Sequence, residues 1–438
     1  MVGALVGACT LVGVGTAAAK PMHVNINERF AQPPTTEQCI AAFGIPCYQP
    51  HQYYTAYDMK SLFASGINGS GKTIVIVDSF GSPTIQNDIK TFDDTYKLPP
   101  AHVTVIQPAG PVPAWGSDPA QPNWGFETSL DVEYAHAMAP GANILLVETP
   151  VAETEGVQGL PQMMQSEKYV IDHHMGDVIT QSFGATEETF PSSGSIQELR
   201  YAFEDAARNN VSVLASAGDG GVSNQESNGT TYYPFRVNSW PSSDPLVTSL
   251  GGTQLTLDHE GNRLAPDQVW NDSFNPLING GTPSPIAGGG GDSAVFLKPR
   301  YQEGVENVVG VNRGTPDISM SAAVNGAALV YLSFPGMTAG WYLVGGTSEA
   351  SPLFSGIVAD ADQAAGHDLG QLNPRLYALG AAHAPGIVDI TNGNNTVPVQ
   401  KGSSTVIVPG YNAVPGYDMA SGLGTADGAQ LVSELSGK

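Results

Sequence analysis

Short runs dense in Val, Ile and Leu recur along the chain: TIVIVD (73–78), ANILLVE (142–148), DVITQSF (177–183), VSVLAS (211–216), PLVTSL (245–250) and AALVYL (327–332). Most are continuously apolar rather than alternating, as strands covered on both faces are. Between them ETSLDVEYAHAMA (127–139), IQELRYAFEDAARN (196–209) and SEASPLFSGIVADADQAA (348–365) read as helices. Strand and helix in alternation predict an α/β fold with a mainly parallel central sheet flanked by helices. Residues 255–315, rich in Gly, Pro and Asn and including AGGGGDS (287–293), read as surface loops decorating a single domain rather than as a linker.

An apolar content of 41% supplies a substantial core for 438 residues. Only 13% of residues are charged, and 41 acidic against 17 basic residues give a formal charge of -24, which excludes nucleic acid or an anionic membrane as the main partner. A chain so poor in Lys and Arg also avoids strong positive self-repulsion once its carboxylates protonate, so an acidic working environment is expected. Residues 1–19 carry an apolar run that ends in Ala-Ala-Ala and predict a secretory signal without a basic start. No other run is apolar and long enough to span a bilayer. Apart from Cys9 in that leader, the cysteines are Cys39 and Cys47, and two thiols in an exported chain predict one disulfide. Residues 20–46 form a short N-terminal segment, and 47–438 the domain.

Candidate chemistry begins with GGTSEASP (345–352), which places Ser348 at the start of a helix, as a nucleophile turn does. GINGSGKT (66–73) satisfies the phosphate-loop pattern letter for letter, but such a loop follows a strand and opens a helix. Here it opens the strand TIVIVD, so nucleotide binding is not expected. DITNGNN, from Asp389, is rich in oxygen ligands but lacks the glycine and glutamate spacing of an EF-hand.

GTSxASP resembles the serine motif of the subtilisin superfamily, whose partners would be an Asp ending an early strand and a His opening a helix. Asp78 fits the first, and none of the nine histidines fits the second. His136 lies deep in its helix and reads as a packing or capping residue. The expected position instead holds Glu127 and Asp131, four residues apart and so on one helix face. In a cleft beside a serine, burial and like charge raise at least one pKa of such a pair and let it share a proton. SAGDGG (216–221) puts Asp219 where subtilisins present an oxyanion-hole Asn, and a protonated Asp can donate a hydrogen bond there.

With Y-x-A-Y (54–57), AHAMAPGA (135–142), QSFG (181–184), GGT (251–253), GGG-x-S-x-x-F-x-x-P-x-Y-Q (289–302), PDIS (316–319) and DIT followed by PGYD, the chain from about Cys47 onward resembles the sedolisin, or serine-carboxyl peptidase, family. The resemblance implies a subtilisin-like fold with Ser348 as nucleophile, Glu127 as its base and Asp131 as the group that orients and buffers Glu127. Asp219 and the Ser348 N–H would be the oxyanion donors, and Asp78 an acid bonded to the carboxylate pair. Ser182, Phe183 and Gly184 would pair with extended substrate, Phe183 standing where the family usually has Trp. One Ca²⁺ site is implied, on the carboxylates of Asp389 and Asp418 and the backbone carbonyls of Ile390, Val414 and Gly416; Val414 replaces a usual Gly. The expectation is a secreted, monomeric, acid-acting endopeptidase with peptide or protein substrates. The alternatives are a tripeptidyl-peptidase of the same family or a neutral subtilisin-like serine protease. A large folded prosegment, usual in the family, has no evident counterpart in residues 20–46.

Overall fold

In the strand Thr73–Ser79, Ile74 and Ile76 turn to one face of a sheet while Val75 and Val77 turn to the other. Both faces are covered, which is why the run is apolar throughout. Ile74 and Ile76 join a core with Leu130 and Ala135 of the helix Gln121–Met138, and with Leu353, Phe354 and Ile357 of the helix Thr347–Ala365. Val75 and Val77 pack with Met163, Met164 and Val170 of the helix Leu160–Asp172, and with Phe203 and Ala206 of the helix Tyr201–Asn209. The structure, a computed structural model, describes residues 24–437; the leader expected at 1–19, with Cys9, lies outside the described residues.

The central sheet runs in the order Ile387–Val388, Thr425–Ala426, Ile318–Ser321, Thr248–Gln254, Ser212–Ser216, Val178–Gln181, Thr73–Ser79, Asn143–Thr149, His102–Ile106. Neighbours are parallel except the first pair, and a short strand Gln268–Val269 adds antiparallel to Thr248–Gln254. From Thr73–Ser79 the chain first builds toward the His102–Ile106 edge and then crosses to Val178–Gln181 on the other side. The strand order therefore reverses at Thr73–Ser79, and in such sheets the crevice beyond the carboxyl ends at that point receives ligands.

AALVYL is not part of this sheet. Ala327–Leu332 lies in a second, four-stranded sheet, antiparallel to Gly340–Gly345 and parallel to Cys47–Tyr48, with Val24–Phe30 at its edge. Its apolar run looks the same because the core again covers it. PLVTSL is shifted: the strand starts at Thr248 and continues through Gly251 and Gly252 to Gln254. A Cβ on Gly252 would meet both the Ala322 Cβ and the Trp270 ring at 2.8 Å, so close packing explains the glycine there. IQELRYAFEDAARN divides into Ser193–Gln197 and Tyr201–Asn209, and ETSLDVEYAHAMA is the later part of a helix that begins at Gln121 with Pro122 in its first turn. The stretch 255–315 is mostly loop but contains the antiparallel pair Gly291–Leu297 and Asn312–Thr315. Cys39 and Cys47 are bonded to each other, with Cα atoms 5.8 Å apart. No helix among the described residues is long and apolar enough to cross a membrane.

Candidate active site

The strand Gly340–Gly345 delivers the chain to Ser348. A Cβ on Gly345 would meet Ala322 O at 2.7 Å and Val324 N at 2.8 Å, so the turn can press against the sheet only with glycine there. Gly346 follows with φ 125°, in the region glycine favours, and its N–H donates to Ala322 O at 2.6 Å. The helix starts at Thr347, which makes Ser348 its second residue. Its N–H therefore has no acceptor within the helix and sits at the positive end of the dipole.

Glu127 and Asp131 belong to the helix Gln121–Met138, which is buried on all sides from Trp124 onward and packs against the serine helix. They lie in its second and third turns rather than at its start, since the helix begins six residues before Glu127. Asp78, two residues beyond Ile76, turns to the same face of the sheet as Ile76 and meets this helix. Ser182, in phase with Val178 and Thr180, turns to that face as well, and Thr180 Oγ1 lies 2.7 Å from Ser351 Oγ of the serine helix. The Ser182 hydroxyl is 2.9 Å from Asp131 Oδ1 and 3.4 Å from Ser348 O; having one proton, it donates to the nearer carboxylate.

Asp78, Glu127, Asp131 and Ser348 are all fully buried. Burial, and after it the charge of Glu127, pushes the Asp78 carboxyl well above the usual carboxylate range. The same two causes in the same order raise Asp131, and Asp78 adds to them. Burial and like charge thus disfavour the charged form of two members of the trio, and carboxyls so placed can share protons. Ser348 Oγ makes no hydrogen bond among the described residues; such contacts commonly tighten only when substrate is bound.

Asp219 follows the strand Ser212–Ser216 and reaches Thr347, the residue before the serine. Its Oδ1 accepts from Thr347 N and from Thr347 Oγ1, both at 2.8 Å, and Thr347 Oγ1 in turn accepts from Gly218 N at 3.1 Å. Thr347 was missed in the sequence, though it stands inside the GTS of the serine motif. Phe183 is fully buried in the core beneath the sheet, and Gly184 is half-buried at the strand end.

His136 is nine residues from Glu127, which at about 100° per residue is half a turn around the helix. Its Nε2 lies 2.9 Å from Pro99 O and 3.2 Å from Asp93 Oδ1, so the ring serves packing on the face away from Glu127. The phosphate-loop mimic is occupied by the protein itself: Gln363 Oε1 accepts from Asn68, Gly69 and Ser70 N–H at 2.8, 2.8 and 3.1 Å, and Lys72 pairs with Asp177 and Asp368.

Asp389 and Asp418 stand on neighbouring loops. Asp389 Oδ2 accepts from Gly416 N at 2.9 Å, Asp418 Oδ2 from Val414 N at 2.9 Å, and Asp418 Oδ1 from Ala420 N and Ser421 N at 2.9 and 2.8 Å. The carbonyls of Ile390, Val414 and Gly416 accept no hydrogen bond among the described residues. No group of three or more His, Cys, Asp or Glu side chains able to hold a metal occurs among the described residues. A cation here would therefore take most of its ligands from the backbone; carboxylates and backbone carbonyls are hard oxygen donors of the kind calcium accepts.

Residues 120–376 match the model of the subtilase family. The chain is 30% identical to kumamolisin of Bacillus sp. (strain MN-32) over 87% of its own length and 63% of that protein's. It is 28% identical to sedolisin of Pseudomonas sp. (strain 101) over 94% of its own length and 64% of that protein's. With tripeptidyl-peptidase 1 of Homo sapiens it shares 29% over 71% of its length and 52% of that protein's. The chain thus spans less than two thirds of the length of each of these curated relatives. The solved structure of Pseudomonas sedolisin, a serine-carboxyl proteinase complexed with two molecules of pseudo-iodotyrostatin, superposes with TM-score 0.73 at 26% identity, covering 90% of this chain and 99% of that one. The chain belongs to the subtilase family, in its sedolisin branch.

Proposed function

We propose that the protein is a secreted, acid-acting serine-carboxyl endopeptidase. The observation that carries this reading is the burial of Ser348 beside a cluster of buried carboxyls, two of them raised by burial and like charge, while His136 faces away. Ser348 Oγ attacks the peptide carbonyl and Glu127 takes its proton, with Asp131 and Asp78 supporting the carboxylate. The Ser348 N–H and a protonated Asp219 donate to the oxyanion. Thr347 occupies Asp219 Oδ1 as acceptor, so the proton of the neutral acid belongs on Oδ2. Glu127 returns its proton to the leaving amine, and water then repeats the sequence on the acyl-enzyme. A carboxylate accepts protons near about pH 4, where a histidine stays charged. Substrate would lie along Ser182–Gly184 as an added strand.

A pH-rate profile on a denatured protein tests the reading. An acidic optimum, near-complete loss in Ser348→Ala and Glu127→Gln, and near-normal rates in His136→Ala are expected. A neutral optimum with severe loss in His136→Ala would mark a neutral subtilisin-like protease instead. Internal fragments among the products support an endopeptidase, and tripeptides alone a tripeptidyl-peptidase. Ca²⁺ bound at Asp389, Asp418, Ile390, Val414 and Gly416 would tie together the loops carrying these residues. A chelator is then expected to lower the melting temperature, and Asp389→Asn to abolish that response.

A further inference from the structure

Glu349 follows the nucleophile directly and takes no part in the chemistry above. It lies in the first turn of the serine helix with its side chain fully buried. The Tyr53 hydroxyl donates to its Oε1 at 2.8 Å. Ser321 Oγ lies against the same carboxyl but short of hydrogen-bond geometry, so Oε2 and Ser321 Oγ are both buried polar atoms without a partner. A hydrogen bond between Oε2 and Ser321 Oγ would satisfy both atoms, and only the carboxylic acid makes it without leaving a charge in a dry site.

Three elements meet at this carboxyl. Tyr53 belongs to the helix Pro50–Ala56, just after the disulfide, and Tyr57 Oη accepts from Ser321 N at 2.7 Å. Ser321 ends the sheet strand Ile318–Ser321, and the carbonyl of the next residue, Ala322, takes the N–H of Gly346. The titratable groups facing Glu349 are tyrosines: Tyr53 and Tyr57 from the N-terminal helix and its end, Tyr48 from the second sheet, and Tyr134 from the helix that bears Glu127. No cation among the described residues acts on it.

We infer that Glu349 is a positioning residue whose carboxylic acid pins the turn bearing Ser348 to Tyr53 and Ser321, and that loss of its proton unpins that turn. Burial pushes the carboxyl up to about 8 from an ordinary 4.5, with Ser321 and Tyr53 opposing. The folded state holds the proton more tightly than the unfolded chain, so the contribution is fully present below the ordinary value and is lost as pH rises through about 8. The latch would thus hold a competent serine turn below about pH 8 and release it above. The inference rests on Ser348 being the nucleophile.

Two measurements on the full chain test it. At acidic pH, Glu349→Ala is expected to lower kcat by about tenfold or more with KM little changed, and Glu349→Gln, which keeps a donor and an acceptor, to restore most of it. Hydrogen exchange of the peptide covering residues 345–351 is read independently of activity. Corrected for intrinsic rate, it is expected to quicken by at least about tenfold in the wild type as pH rises past about 8, and not in Glu349→Gln. Equal quickening in Glu349→Gln, or a wild-type kcat in Glu349→Ala, would overturn the latch. If Glu349→Ala does not fold, the exchange comparison decides alone. Activity surviving in Ser348→Ala would instead sink the serine reading while leaving the exchange result to stand or fall on its own.

Discussion

Thr347 grips Asp219 twice, through its N–H and its hydroxyl, and takes a bond from Gly218 N on the same hydroxyl. An oxyanion donor is effective when it is already aimed, because no reorganisation is then needed as charge develops. Thr347→Val removes the hydroxyl and leaves the shape and the backbone bond. It is expected to lower kcat by about ten- to a hundredfold with little change in KM. Thr347→Ser should recover most of the loss. A valine variant with the parent kcat would show that the hydroxyl does not orient Asp219. At this scale Ser348, Glu127, Asp131 and Asp219 could be singled out as residue types in a motif, and their proposed chemistry rests on that. The supporting contacts were not, because Thr347, Ser182 and Glu349 acquire their partners only when distant strands and helices come together.

At the scale of elements, continuous apolar runs marked buried strands but carried no information on which sheet buried them. Ala327–Leu332 and Thr73–Ser79 look alike in sequence, yet only the latter joins the parallel sheet. His102–Ile106 was passed over because it is an edge strand whose side chains are partly or largely exposed, and Ile318–Ser321 because its ISMS is half polar although fully buried. The Gln121–Met138 helix was read from its middle, since the capping residues expected at a start are absent there: Ala120 makes no side-chain cap. Close contact, by contrast, is written in glycine. Gly252→Ala would drive a methyl into Ala322 and Trp270, and overpacking of this kind costs about 1–3 kcal/mol. Gly304→Ala meets nothing within 4 Å and serves as the control. Thermal melts should show a clear drop for the first and almost none for the second; equal values would mean that the sheet yields at Gly252.

For the whole molecule the decisive feature is how many carboxyls are buried. Burial raises Glu133, Glu153, Glu167 and Asp360 well above the carboxylate range, Glu155 to about 7 and Asp362 to about 8, in addition to the trio's Asp78 and Asp131. Each of these groups holds its proton more tightly in the fold than in the unfolded chain. Each therefore contributes most below its ordinary pKa, and the contribution is lost as pH rises through the folded value. The opposing force at low pH is weak, for the chain has only 17 Lys and Arg to repel one another once its acids are neutral. The expected result is a melting temperature that falls continuously as pH is raised from about 4.5 to about 8, in Ser348→Ala as in the parent so that self-cleavage plays no part. A melting temperature flat across that window, or rising with pH, would mean that these carboxyls ionise in place with water or cations admitted to them, and the acid-adapted reading of the composition would fall with it.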